Sequence, residues 1–223
     1  HCASGKDRTG VGVALLLLNG HPARALGPID APETWGGSLA SRERLSGNWG
    51  GARDTLGRNG IVLDLDLALT PQSVMSGGRD TGTVAWGNAI YTLNVDTGKA
   101  GWWPGGFFNV KGDSSFGNGG FGEIGAVVPA NLSTLVPEPL KSDSGLESAS
   151  FTQFLNTKLG LMMGKIYTLD LLHGEFYGNM HTQFMNTALS LPITSALVPL
   201  SAFGGGAVVL PTENVTLLAL ALD

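Results

Sequence analysis

The sequence predicts an all-β fold built on an antiparallel sheet, and three observations carry that prediction. Glycine supplies 34 of 223 residues, about twice its share in average proteins. Charged residues are few, 13 basic and 18 acidic, and no apolar run reaches the ~18 residues of a spanning helix. In several stretches apolar and polar residues alternate with a period of two, the period of a strand with two unlike faces. A hydrophobic content of 43% excludes disorder from low hydrophobicity. A net charge of −5 and a pI near 5.3 exclude a general nucleic-acid binder, which needs a basic footprint. The single cysteine, Cys2, excludes a disulfide framework within the chain and a multi-cysteine zinc site. Mean hydropathy is nonetheless +0.15. Composition leaves two classes, a soluble all-β domain and an outer-membrane β-barrel, whose signal per strand is weak.

The elements follow in order. The chain begins at His1 rather than Met, which reads as a fragment or a processed product. Residues 1–25 carry Lys6 and Arg8, then apolar Val11–Leu18, then Ala23-Arg24-Ala25. Basic region, short apolar core and small-residue site have the form of a secretory signal peptide. Residues 26–44, rich in Pro, Gly, Ala and Ser as far as Ser41, read as a linker. Ser46–Gly60 reads as a turn followed by a short helix over Ala52–Leu56, closed by Asn59-Gly60. In Ile61–Leu69, Ile61, Leu63, Leu65, Leu67 and Leu69 share one face, with Asp64 and Asp66 on the other. Ala85–Asp96 repeats the pattern, with Tyr91, Leu93 and Val95 opposite Trp86, Asn88, Ile90, Asn94 and Asp96. After a turn at Asp96–Lys99, Phe108 and Val110 oppose Asn109, Lys111 and Asp113. Gly117–Leu146 reads as a long irregular connection. Glu147–Phe154, Lys158–Ile166, Met180–Ala188 and Asn214–Leu222 complete about seven strands.

Two stretches resemble known families. His1-Cys2-Ala3-Ser4-Gly5-Lys6-Asp7-Arg8-Thr9-Gly10 resembles the active-site loop of bacterial protein tyrosine phosphatases. That resemblance implies Cys2 as nucleophile, with the pKa of a cysteine at a helix N-terminus lowered. Arg8 would bind phosphate and Thr9 would assist the leaving thiolate, and Val11–Leu18 would then be the helix after the loop. It covers about twenty residues and lacks the strand and the general acid that such enzymes need. The second resemblance covers about residues 42–223. Leu45-Ser46-Gly47-Asn48-Trp49-Gly50-Gly51-Ala52-Arg53-Asp54-Thr55-Leu56, followed by Asn59-Gly60-Ile61, is similar to the opening of the carbohydrate-selective porins (OprB-like). Gly101–Gly106, Phe151–Leu155, Lys165–Asp170, Thr182–Thr187 and Leu210–Asn214 fit the same family in the same order.

The porin resemblance implies a transmembrane β-barrel of about sixteen antiparallel strands in the bacterial outer membrane, passing sugars by diffusion. Strands of ~9–11 residues make so large a barrel longer than this chain. Residues 45–223 are therefore expected to be its N-terminal portion, seven or eight strands with a short N-terminal helix. No catalysis and no cofactor is expected. The partners are mono- or oligosaccharides and outer-membrane lipid, with no nucleic acid.

A sugar pore needs donors and acceptors facing each other across a constriction without trapping an ion. Alternation nominates Asp64, Asp66, Trp86, Asn94, Asp96, Asn109, Lys111 and Asp113 for the lumen. Trp49 and Arg53 are placed near the pore mouth, and Glu147, Lys165 and Glu175 join the lumen set. Trp102, Trp103 and Tyr91 read as membrane-interface or packing residues. His173 and His181 lie too far apart in sequence for a metal pair and read as loop residues. Two alternatives remain: a phosphatase remnant carried by residues 1–10, and a secreted soluble all-β binding domain. The soluble domain would bury its leucine faces, whereas a barrel leaves them outside.

Overall fold

A computed structural model describes residues 11–17, 31–171, 179–181, 183–191, 199–212 and 215–223. Among the described residues eight strands form one antiparallel sheet: β1 (Val11–Leu17), β2 (Ile61–Val74), β3 (Gly82–Asp96), β4 (Gly106–Gly117), β5 (Ser144–Phe154), β6 (Leu159–Tyr167), β7 (Ser201–Thr212) and β8 (Val215–Leu222). Their spatial order is β1-β8-β7-β6-β5-β4-β3-β2, so β2 to β8 form a meander and β1 adds beside β8. The strands β1 and β2 are the two edges. Helices are short: α1 (Ala52–Arg58), α2 (Phe121–Ile124) and α3 (Thr187–Ser190). No helix among the described residues is long and apolar enough to cross a membrane. The predicted antiparallel all-β class, its strand number and its short helix are all present.

Register explains the two faces. Leu63, Leu65, Leu67 and Leu69 pair with Leu93, Tyr91, Ala89 and Gly87. Those residues continue into Val110, Gly112, Ser114 and Phe116 of β4. This face is open: Leu65, Leu67 and Leu69 are 68%, 65% and 66% exposed. Asp64, Asp66, Thr92, Asn94, Asn109 and Lys111 point the opposite way, onto a face covered by the chain's own connections. A soluble domain would have buried the leucine row, so its exposure selects the barrel arrangement. Along β6–β8 both faces are apolar. Met162, Ile166, Val208, Leu218, Leu220 and Leu222 form a buried cluster on the covered side, while Met163 and Phe203 stand exposed on the other.

Three expectations about elements change. Met180–Ala188 is not a strand. Its described part is irregular and ends in α3, because Asn186 accepts a bond from the Ala188 N–H and caps that helix. The strand β7 lies outside the expected set: Gly204-Gly205-Gly206 in it carries no side chains to alternate. Here the glycines let backbones approach: a Cβ on Gly206 would lie 1.9 Å from the Ala219 carbonyl oxygen. Gly206→Ala is accordingly expected to destabilise the β7–β8 pair by roughly 1–3 kcal/mol. Gly122→Ala, where nothing lies within 4 Å, should be neutral; equal denaturation midpoints for the two would refute this. Third, Val11–Leu18 is expected as a signal core or post-loop helix; its described part, Val11–Leu17, is a strand paired with β8 from Val11↔Leu222 to Leu17↔Thr216.

Residues 26–44 were expected to be a linker. Residues 31–44 are irregular but seated. Trp35 is buried and packs onto Gly57 of α1, where a Cβ would come within 2.5 Å of its ring. The Asp54 carboxylate accepts from the Trp35 N–H (2.9 Å), Thr34 Oγ1 (2.8 Å) and Asn48 Nδ2 (3.0 Å). These bonds, the Trp35 amide first, hold its pKa below the usual carboxylate range.

Candidate functional site

The covered face of β2–β4, Arg44, Leu132 and the described parts of 167–190 line an open cavity of about 690 Å³. The connections are tied to the strands by named contacts. Lys111 Nζ lies 2.8 Å from Asp170 Oδ1, and the Leu132 N–H donates to the Met185 carbonyl at 2.7 Å. Leu132, Val136, Tyr167 and Leu169 form the small apolar core beneath this lining.

Two charged groupings stand on the lining. In the first, Arg44 reaches Asp64 at 3.2 Å and also pairs with Asp66, while Arg53 pairs with Asp64. Arg53 is almost fully buried, its guanidinium 4.9 Å from the Trp35 ring centre and 5.2 Å from that of Trp49. It also donates to the Leu63 carbonyl at 3.1 Å. In the second grouping Lys111 meets Asp170 and, at 3.3 Å, Glu147, with its ammonium 4.4 Å from the Tyr167 ring centre. Between them Asn109 Nδ2 donates to Asn94 Oδ1 at 2.8 Å and Asn109 Oδ1 accepts from Ser148. Cations and carboxylates thus face a common space together with amides, a lining suited to many hydroxyls.

Placement of the predicted residues divides them. Asp64, Asp66, Asn94, Asn109 and Lys111 line the cavity. Arg53 stands behind Asp64 and positions it. Trp49 is half exposed, stacked on Arg53 beside α1. Four residues are on the covered side but do not line the cavity. Trp86 is 2% exposed and packed beneath the connection that carries Gly119 and Thr134. Asp113 is buried and accepts both bonds offered by Asn88 Nδ2 (3.0 and 3.1 Å). Asp96 caps a turn, accepting from the Gly98 and Lys99 N–H groups. Glu147 lies behind Lys111 at an irregularity in the β4–β5 pairing. Lys165 needs correction: it pairs with Ala149 and Phe203 on the open face and donates to the Leu146 carbonyl at 2.6 Å. The weak alternation of β6 concealed its face.

Arg44, Asp170 and Tyr167 were missed. Arg44 falls inside the expected linker, while Tyr167 ends β6 and Asp170 follows it, where periodicity stops; only their polar type in a family-like stretch is a signal. Glu175 and His173 lie outside the described residues, as do Cys2, Arg8 and Thr9, and nothing found supports a phosphatase. Among the described residues no group of three or more His, Cys, Asp or Glu is placed to hold a metal.

His181 sits on the cavity wall, in the segment that follows β6. Burial, reinforced by the Lys111 charge and opposed by Asp66, pushes its pKa down to about 4. The unfolded imidazole titrates near 6.5. Its contribution to stability is therefore complete above pH ~6.5 and declines as the pH falls toward 4, because the unfolded chain takes up the proton first. His181→Gln should flatten the stability–pH curve across that window; an unchanged slope in chemical denaturation would refute it.

The fold defines a class: an antiparallel meander sheet with one open apolar face and one covered polar face, of the kind a β-barrel wall is made from. The solved structure of OprB from Pseudomonas putida matches it with a TM-score of 0.60 at 16% identity, over 82% of this chain and 44% of that one. The chain thus spans less than half of that protein's length. No protein family and no curated protein matches the sequence. The likeness is one of fold and agrees with the OprB-like motifs at that level.

Proposed function

We propose that this chain forms part of an outer-membrane barrel through which carbohydrates diffuse passively. The supporting observation is the cavity lining, where Arg44, Asp64 and Asp66 share one space with Lys111 and Asp170. Each charge is already paired, so an ion gains little by entering, while sugar hydroxyls exchange with Asn94, Asn109 and the carboxylate oxygens. Arg53, Trp49, Glu147, Asp113, Trp86 and Asp96 hold the lining in place rather than touching sugar. The open leucine row faces lipid, as does the aromatic group Trp102, Trp103, Phe108 and Phe151, whose rings pack with centres 4.5–6.3 Å apart. Such a group fits the interface girdle of a barrel.

The test is liposome swelling with the protein expressed from its whole coding sequence. Neutral mono- and disaccharides should permeate faster than salts of similar size. Asp66→Asn should alter the ratio of sugar to salt flux while leaving the barrel intact. Vesicles impermeable to every sugar would overturn the proposal.

A further inference from the structure

The pairing of β5 with β6 stops at Ala149↔Lys165, although β5 extends back to Ser144. Beyond that point the wall is completed by the 135–139 connection and the start of β7, leaving a cleft of about 240 Å³. Its sides are largely apolar, with Val136, Pro139, Leu146 and Leu200 among them. Lys165 stands at the open-face end and Glu147 at the covered end. On β6 the open-face row Leu159, Leu161, Met163 ends at this lysine, next to the exposed Phe203 of β7. A cation that ends an apolar outward row lies where hydrocarbon gives way to headgroups, with its stem along the apolar surface.

We propose that this cleft binds an anionic membrane lipid, resting on the membrane reading given above. One acyl chain enters between Leu146 and Pro139, and the phosphate meets the Lys165 ammonium. That ammonium spends one donor on the Leu146 carbonyl and keeps two for the phosphate. At the covered end Glu147 is already paired with Lys111, so no free cation waits there for a phosphate, and the headgroup stays at the Lys165 end: chain inward, head outward. Charge complementarity at the mouth selects a lipid over an uncharged amphiphile.

The experiment reconstitutes the protein into vesicles of phosphatidylcholine, alone or mixed with phosphatidylglycerol, and weighs the lipid that stays bound after detergent extraction by native mass spectrometry. The protein should retain phosphatidylglycerol in preference to phosphatidylcholine. Lys165→Gln should cut that preference about five-fold, the factor for ~1 kcal/mol per basic residue at an anionic surface, and Lys165→Arg should keep it. Leu146→Trp, which fills the mouth, should reduce retained lipid of both kinds. Absence of preference in the unmodified protein, or an undiminished one in Lys165→Gln, overturns the proposal alone. Failure to insert into either vesicle overturns the membrane reading and the proposal with it.

Discussion

Arg53→Ala is expected to cost about 3–5 kcal/mol of stability, the range for breaking a buried ion pair from one side. The guanidinium lies between two indole rings and holds Asp64 and the Leu63 carbonyl at the start of β2. Its removal leaves Asp64 to Arg44 alone and empties the slot between Trp35 and Trp49. Arg53→Lys keeps the charge but not the flat plate that stacks on both rings, so it should lose an intermediate amount. Urea unfolding of the protein in detergent micelles measures both. An alanine variant within about 1 kcal/mol of the parent would show that the latch formed by residues 31–60 is held by something else.

The second large effect is expected at Lys111. Lys111→Met leaves Glu147 and Asp170 facing each other with no cation between them. A loss of about 3–5 kcal/mol is expected for that as well. Adding Glu147→Gln should restore part of it, because the two sites share one interaction and their effects are not additive. Function should move too. Arg44 and Lys111 are the cations among the described residues of the lining, against Asp64, Asp66 and Asp170. Without Lys111 the lumen becomes more acidic, and the channel should favour cations over anions more strongly. Reversal potentials in a planar bilayer under a salt gradient read this directly, and an unchanged potential would place Lys111 outside the path.

How far the sequence could be read depended on contrast between faces. The strands β2 to β4 were legible because leucines alternate with Asp64, Asp66, Asn94, Asn109 and Lys111, so one register satisfies the pattern and a slip of one residue violates it. The strands β6 to β8 carry apolar or small residues on both faces. There the period-two signal vanishes, so neither β7 nor the open-face side of Lys165 can be read from alternation. The site was half legible for the same reason. Its strand-borne members follow from alternation, whereas Arg44 and Asp170 arrive from segments whose path depends on tertiary contacts: Trp35 on Gly57, and Leu132 with Tyr167. The trade of Asp96 from lumen to turn cap is local chemistry, since an aspartate before Thr97-Gly98-Lys99 can bond the amides that follow it.

The direction of the two edge strands sets an arithmetic rule. The strand β2 runs from the rim of short turns toward the rim of long connections, and β1, paired antiparallel to β8, runs the opposite way. Any strands that bridge the gap between them must alternate in sense, beginning opposite to β2 and ending opposite to β1. Only an even number of additional strands, zero included, meets both conditions. Every closed antiparallel barrel that contains this sheet therefore has an even strand count, the parity of bacterial outer-membrane barrels, and an insertion of one extra strand anywhere in the gap would force a parallel pair.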